Sequence, residues 1–294
     1  MALPTSLLCP IDFSSHSERA LRHALALAGA FGAHLTVVTI NDPVLVAGAA
    51  AAGYASTLRD QVEAALQDTL GRMPAAASPR LPAIDIVTGA PAPEILASAE
   101  RTGAELIVMG TRGLGATGRV IFGSTTERVV REARVPVLAV PEYSPERMSV
   151  EQGEPRFTLG QVIAAVGLDA ADAKVAGTAA EWARACGAPL ALGHVCHDVP
   201  APAWWPFGAA AEPAPSNDVA YAALEALGRP LGDSPAATFE VRRGNLPAGI
   251  AAMVHDLDAG LLVVSRGGGQ HRIGSTAYRV MTEAAVPTLV VAGV

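Results

Sequence analysis

The chain has 294 residues, half of them apolar but only 4% aromatic, and it carries a formal net charge of -7. That length accommodates one large domain or two ordinary ones, with apolar content ample for sizeable cores. The acidic balance argues against a nucleic-acid partner or an anionic membrane surface, and no run of about 18 apolar residues reads as a membrane span.

In chain order, residues 7–11 form a short apolar run that ends at Asp12. Ser15 and Glu18 follow at capping-box spacing, and Ala20, Leu21, Ala24, Leu25 and Ala28 supply a helical stripe. Residues 35–40, closing on Ile40, are rich in β-branched residues and read as a second buried strand. Residues 41–56 are rich in alanine and glycine and show no pattern, so they are expected to be a connection before a helix at about 58–73. A third strand is expected at 84–88, then a helix with proline in its first turn, a fourth strand at 106–109 and a fifth at 135–140. Strands that alternate with helices build a parallel sheet, with ligands bound beyond the carboxyl ends where the winding reverses.

The most informative stretch follows the fourth strand. Gly110, Gly113, Gly115 and Gly118 interrupt any regular pattern, and Gly123 and Ser124 close the loop before a helix. Ser124 and Glu127 again have capping-box spacing. A glycine loop that runs into a helix start offers backbone amides and the positive end of a helix dipole, an arrangement suited to phosphate. Lys174 is the sole lysine, so this is no Walker-type loop.

The chain then repeats itself. Residues 162–168 and Asp169 echo residues 7–11 and Asp12. Residues 190–195, 241–247, 261–265 and 286–291 echo the second strand, the third strand's exit, the fourth strand and the fifth. Two domains are expected, at 1–145 and 156–294, with residues 142–158 a polar linker carrying Pro145, Gly153 and Pro155. In the second copy Ser265 replaces the first glycine. Five residues separate Gly268 from Gly274, against nine between Gly113 and Gly123, and Tyr278 stands in for Glu127. That shortened loop is expected to be degenerate.

Gly110, Gly113 and Gly123-Ser124, with Pro10-Ile11-Asp12 and the last strand at 135–140, resemble the ATP-binding branch of the universal stress protein family, here as a tandem pair. The resemblance implies an α/β fold, two five-stranded parallel sheets of strand order 3-2-1-4-5 like those of the adenine nucleotide alpha hydrolases. It implies ATP, with Mg2+ or Mn2+ on its phosphates, as the ligand of the first domain. Adenine would lie near Pro10 and Ile40, Asp12 near the ribose or the metal, and the phosphates on the amides of Gly113, Gly123, Ser124 and Thr125, beside Met109, Gly110 and Arg112. It also implies pairing through the fifth strands, between the two halves or in a homodimer, and a protein partner of unknown identity.

The remaining candidates read more plainly. Arg112 and Arg119 can screen phosphate or simply face solvent. His194, Cys196 and His197 alternate across a strand and make a poor shared ligand set. Trp204, Trp205 and Phe207 form an aromatic cluster that either packs or docks. Cys9, Cys186 and Cys196 form no CxxC pair, and the chain opens without a basic leader, so a reducing, cytoplasmic location is expected. The functional expectation is an ATP-binding regulator of a stress response. The alternatives are a slow ATPase or nucleotide-dependent transferase, and a dimerisation module that binds no nucleotide. Asp12 is the only promising acid near the loop, which favours binding over fast turnover.

Overall fold

A computed structural model describes residues 3–73, 81–112, 123–169, 172–197, 215–232, 236–266 and 275–292. The chain divides into two compact units, one ending at Thr158 and one beginning at Leu159.

In the first unit the elements are β1 (Ser6–Pro10), α1 (Ser15–Phe31), β2 (His34–Asn41), α2 (Pro43–Ala51), α3 (Ala55–Arg72), β3 (Ala83–Thr88), α4 (Pro91–Thr102), β4 (Leu106–Gly110), α5 (Ser124–Glu132) and β5 (Val137–Val140). The strands pair in parallel in the order β3-β2-β1-β4-β5. From β1 the chain winds outward to β2 and β3, then crosses back to β4. The winding reverses between β1 and β4, where Leu7 pairs with Leu106 and Leu8 with Ile107.

Helix α1 illustrates how the sequence builds this layer. Ala20, Leu21, Ala24, Leu27 and Ala28 recur at helical spacing and are all buried, with Leu21 and Leu27 wholly so. Each leucine contributes about 2 kcal/mol by leaving water, and Leu21→Ala would cost about 3 kcal/mol. Gly32 ends the helix in a left-handed conformation, φ 62°, with its N–H bonded to the Ala28 carbonyl.

The second unit repeats the plan with β8 (Gln161–Ala165), α6 (Asp172–Ala185), β9 (Leu190–Cys196), α7 (Asn217–Gly228), β10 (Ala237–Arg243), α8 (Leu246–Asp256), β11 (Ala259–Ser265), α9 (Ser275–Ala284) and β12 (Thr288–Val291). The order β10-β9-β8-β11-β12 is again 3-2-1-4-5 within the unit.

Two stretches differ from expectation. Residues 43–51 are not a patternless connection but the helix α2. Asp42 caps it by accepting the Val44 N–H at 2.7 Å, and Pro43 occupies the first turn. Periodicity missed it because α2 buries no residue and therefore has no apolar stripe. The polar linker contains an antiparallel hairpin, β6 (Met148–Glu151) and β7 (Glu154–Phe157). Gln152 and Gly153 turn it with φ of 53° and 85°, as a two-residue hairpin turn requires. Its Met148 is wholly buried.

Helix starts also shift by one residue. The N-cap of α1 is Ser14, whose side chain accepts from the Ser17 N–H, not Ser15. The N-cap of α5 is Gly123, with no side-chain cap, so Ser124 and Glu127 form no capping box.

Candidate functional site

The reversal point brings the carboxyl ends of β1 and β4 side by side, so Asp12 and Gly110 share one crevice as expected. Phe13, just past Asp12, adopts φ 62°, a left-handed conformation that costs a bulky residue on the order of 1 kcal/mol. The bend folds Ser14 back onto Asp12. The Asp12 carboxylate accepts from the Ser14 N–H at 3.1 Å and the Ser14 hydroxyl at 2.6 Å. Its own N–H donates to the Ser17 hydroxyl at 3.3 Å. Asp12 thus joins the start of α1 and stays half-buried at the crevice mouth.

Gly110 has a packing reason to be glycine. A Cβ there would lie 2.8 Å from the His16 carbonyl oxygen, backbone that cannot step aside. The loop after β4 leaves and re-enters through a closed neck. The Gly123 N–H donates to the Thr111 carbonyl at 2.8 Å, and the Thr126 hydroxyl donates to the Gly110 carbonyl at 2.9 Å. The first intrahelical bond of α5 runs from the Glu127 N–H to the Gly123 carbonyl. The amides ahead of it, from Ser124 to Thr126, belong to the turn that a helix cannot satisfy from within, and among the described residues no side chain caps it. An uncapped start pinned at a sheet's carboxyl edge is chemically an anion seat.

Of the expected residues, Pro10 and Met109 lie buried in β1 and β4, and Ile40 is half-buried at the end of β2. Thr125 is half-buried and Ser124 exposed in the first turn of α5, and Arg112 is half-buried at the loop's departure. Gly113, Gly115, Gly118 and Arg119 lie outside the described residues, as do Trp204, Trp205, Phe207, Gly268 and Gly274.

Sequence reasoning missed part of the rim. Glu142, two residues past β5, accepts from the Ser15 hydroxyl at 2.9 Å and lies 3.3 Å from the His16 ring. The Ser15 hydrogen bond first, then Tyr143, His16 and Arg112, hold its carboxyl below the usual range. Glu142 stood in a stretch read as linker, far along the chain from Ser15, and nothing in the pattern signalled it. Cys9, on β1 beneath the mouth, is wholly buried, and burial pushes its thiol well up, so it supplies no nucleophile. Among the described residues no group of three or more His, Cys, Asp and Glu gathers as a metal cluster. His194 instead donates from Nδ1 to the Val166 carbonyl at 2.9 Å.

The second crevice has the same backbone and different chemistry. Register places Val162 at the position of Leu7, so Gly167 corresponds to Asp12 and Leu168, φ 66°, to Phe13. The expected match of Asp169 to Asp12 is therefore two residues out. Asp172 does the local work, accepting from the Gly167 N–H at 3.1 Å and the Asp169 N–H at 2.6 Å. Burial pushes its carboxyl above the ordinary range, against the pull of those amides. Ser265 and Arg266 replace Gly110 and Thr111, and burial lowers the Arg266 guanidinium's proton affinity.

Comparison with known proteins bears on both units. The model of the universal stress protein family matches residues 5–141 and again 159–292. The chain is 39% identical over 135 residues to a universal stress protein of Thermus aquaticus, covering 46% of this chain and 97% of that one. It is 32% identical over 142 residues to one of Methanocaldococcus jannaschii, covering 48% and 84%. The crystal structure of a universal stress protein from Archaeoglobus fulgidus superposes with a TM-score of 0.70 at 18% identity, covering 99% of this chain and 97% of that chain, a likeness of fold.

Proposed function

The chain belongs to the universal stress protein family, and from that premise we propose that its first domain is the ATP-binding, regulatory half of a stress-response protein. One observation carries the reading: the uncapped start of α5, tied by Gly123 to Thr111 at the carboxyl edge of β4, opens beside Asp12. The amides of Ser124 and Thr125 then receive phosphate oxygens, with the helix dipole behind them. Ile40 and Pro10 border the mouth on the β2 side, where an adenine ring would rest.

A divalent ion fits this donor set only with help. Asp12 is a hard oxygen ligand, and the described residues gather no full protein cage around it. Mg2+ or Mn2+ would therefore be shared between Asp12 and the phosphates, the usual arrangement for a small ion that keeps its waters. The ion would neutralise phosphate charge. The protein's own residues would bind and orient the nucleotide.

Titration of the full chain with ATP and Mg2+ in a calorimeter tests the reading. Gly123 has φ -75° and ψ 149°, a conformation valine adopts without strain. Gly123→Val should therefore leave the fold intact while its side chain keeps phosphate off the amides, lowering affinity by at least about a hundredfold, or about 2.7 kcal/mol. An unchanged affinity in a folded G123V protein would exclude this site.

A further inference from the structure

Helix α1 packs against β1, β2, β4 and β5 on one side and against β6 and β7 on the other. On the face turned from the sheet, His16, Arg19, Arg22, His23 and Ala26 recur at helical spacing. The chain leaving β5 runs along that face as a strap, and its contacts keep step with the helix. Ser15 and His16 meet Glu142, a guanidinium N–H of Arg19 donates to the Ser144 carbonyl, and Arg22 Nε donates to Glu146 at 2.8 Å. The β6–β7 hairpin then completes the cover.

His23 is wholly buried there. Its Nδ1 bonds the Arg19 carbonyl at 3.0 Å, but its Nε2 meets no partner. His16 Nδ1 and Arg19 Nε, on the same stripe, are also buried without hydrogen bonds. A cavity of about 20 Å³, the size of one water, lies between Arg22, Leu25, Glu146, Ser149 and Val150. This seam is polar, closely covered and incompletely satisfied, a poor place to add a charge.

We propose that the strap and hairpin form an acid-released clasp on α1, with His23 as its trigger. The cover closes over a neutral imidazole and opens when that imidazole takes a proton. Burial sets the direction, and the groups facing His23 act on both sides of it. The Arg19 carbonyl and the Glu146 carboxylate favour an imidazolium, Arg19 and Arg22 repel it, and Glu142 further along the strap is engaged by Ser15 and His16. Arg147, at the hairpin's entry, donates to the Thr158 carbonyl. Burial is the largest cause and pushes the His23 pKa down from 6.5 to about 4.

Because the folded pKa lies below the unfolded one, the open form binds the proton first. The closed cover is fully stable above about pH 6.5 and loses stability as pH falls, by roughly 160-fold in the opening equilibrium at pH 4 and towards a limit of roughly 300-fold below it.

Amide exchange of residues 148–157, corrected for intrinsic rates, tests this in the full chain between pH 7 and pH 4.5. The wild type should lose protection by roughly fifty-fold, and His23→Leu should lose almost none. Equal losses in both would overturn the clasp. If the variant does not fold, the ring-proton titration of His23 in the wild type decides: a midpoint near 4 supports the trigger, and one above 6 refutes it.

Discussion

The two domains carry one scaffold and two mouths. The same backbone bonds recur in each: Ile11 N–H to Val38 at 2.8 Å and Val166 N–H to Gly193 at 2.9 Å, Thr111 N–H to Val140 at 3.1 Å and Arg266 N–H to Val291 at 3.0 Å. Even the left-handed residue after the first strand is kept, as Phe13 in one and Leu168 in the other. The side chains at the mouth are not kept. Where the first domain has Asp12, Gly110 and Thr111, the second has Gly167, Ser265 and Arg266. Sheet register fixes where the chain emerges, and it leaves the emerging residues free to change. A domain can therefore keep these backbone bonds and change the chemistry of its mouth.

The contrast is broken most severely at Gly110. Gly110→Val drives a Cβ into the His16 backbone and should cost the first domain about 3 kcal/mol or more, whereas Ser265→Val should stay within about 0.5 kcal/mol. All three tryptophans, Trp182, Trp204 and Trp205, lie in the second half, so their fluorescence follows that half while far-UV circular dichroism follows both. Urea unfolding of G110V should show circular dichroism changing well before tryptophan emission. Coincident, unshifted transitions would mean that the close approach is not there.

A gentler intervention addresses the ligand. The full chain should bind one equivalent of ATP tightly, and Asp12→Asn should weaken Mg2+-dependent binding roughly tenfold, or about 1.4 kcal/mol. Gly167→Asp restores a carboxylate to the second mouth but not the loop length, and should add no tight site. Two equal sites in the wild type would end the asymmetry.

The smallest effect sharpens what the domains share. Phe13→Gly and Leu168→Gly each relieve a left-handed backbone while losing some burial, and each should leave stability within about 1 kcal/mol of wild type. A loss of about 2 kcal/mol or more in one domain alone would show that the bend serves different ends in the two.

Much of this was legible in the residues. Parallel strands are buried on both faces, so 7–11, 35–40 and 106–109 announced themselves as apolar runs, and the repeat gave the second set. The places of Asp12 just past β1 and of Gly110 at the end of β4 were readable because each closes an apolar run. Glu142 was not, since it joins the rim only through tertiary contact with Ser15 and His16. Helix α2 hid for the opposite reason: every pattern method looks for a buried face, and it has none. The capping boxes failed by a single residue because Ser14 and Gly123 already occupy the cap positions, one step ahead of the serines that fit the motif.

The neck between Thr111 and Gly123 has a consequence for how such a domain can change over generations. A bond that fastens the two ends of a loop makes the residues between them, 112–122, thermodynamically cheap to add or remove. Doubling a flexible loop costs only about 0.6 kcal/mol in closure entropy. Nine residues in one copy and five at the matching place in the other therefore differ by about 0.5 kcal/mol, too little for stability to police. The span between the two glycines is a length that stability leaves free to drift, and the fold beneath it keeps no record of the change.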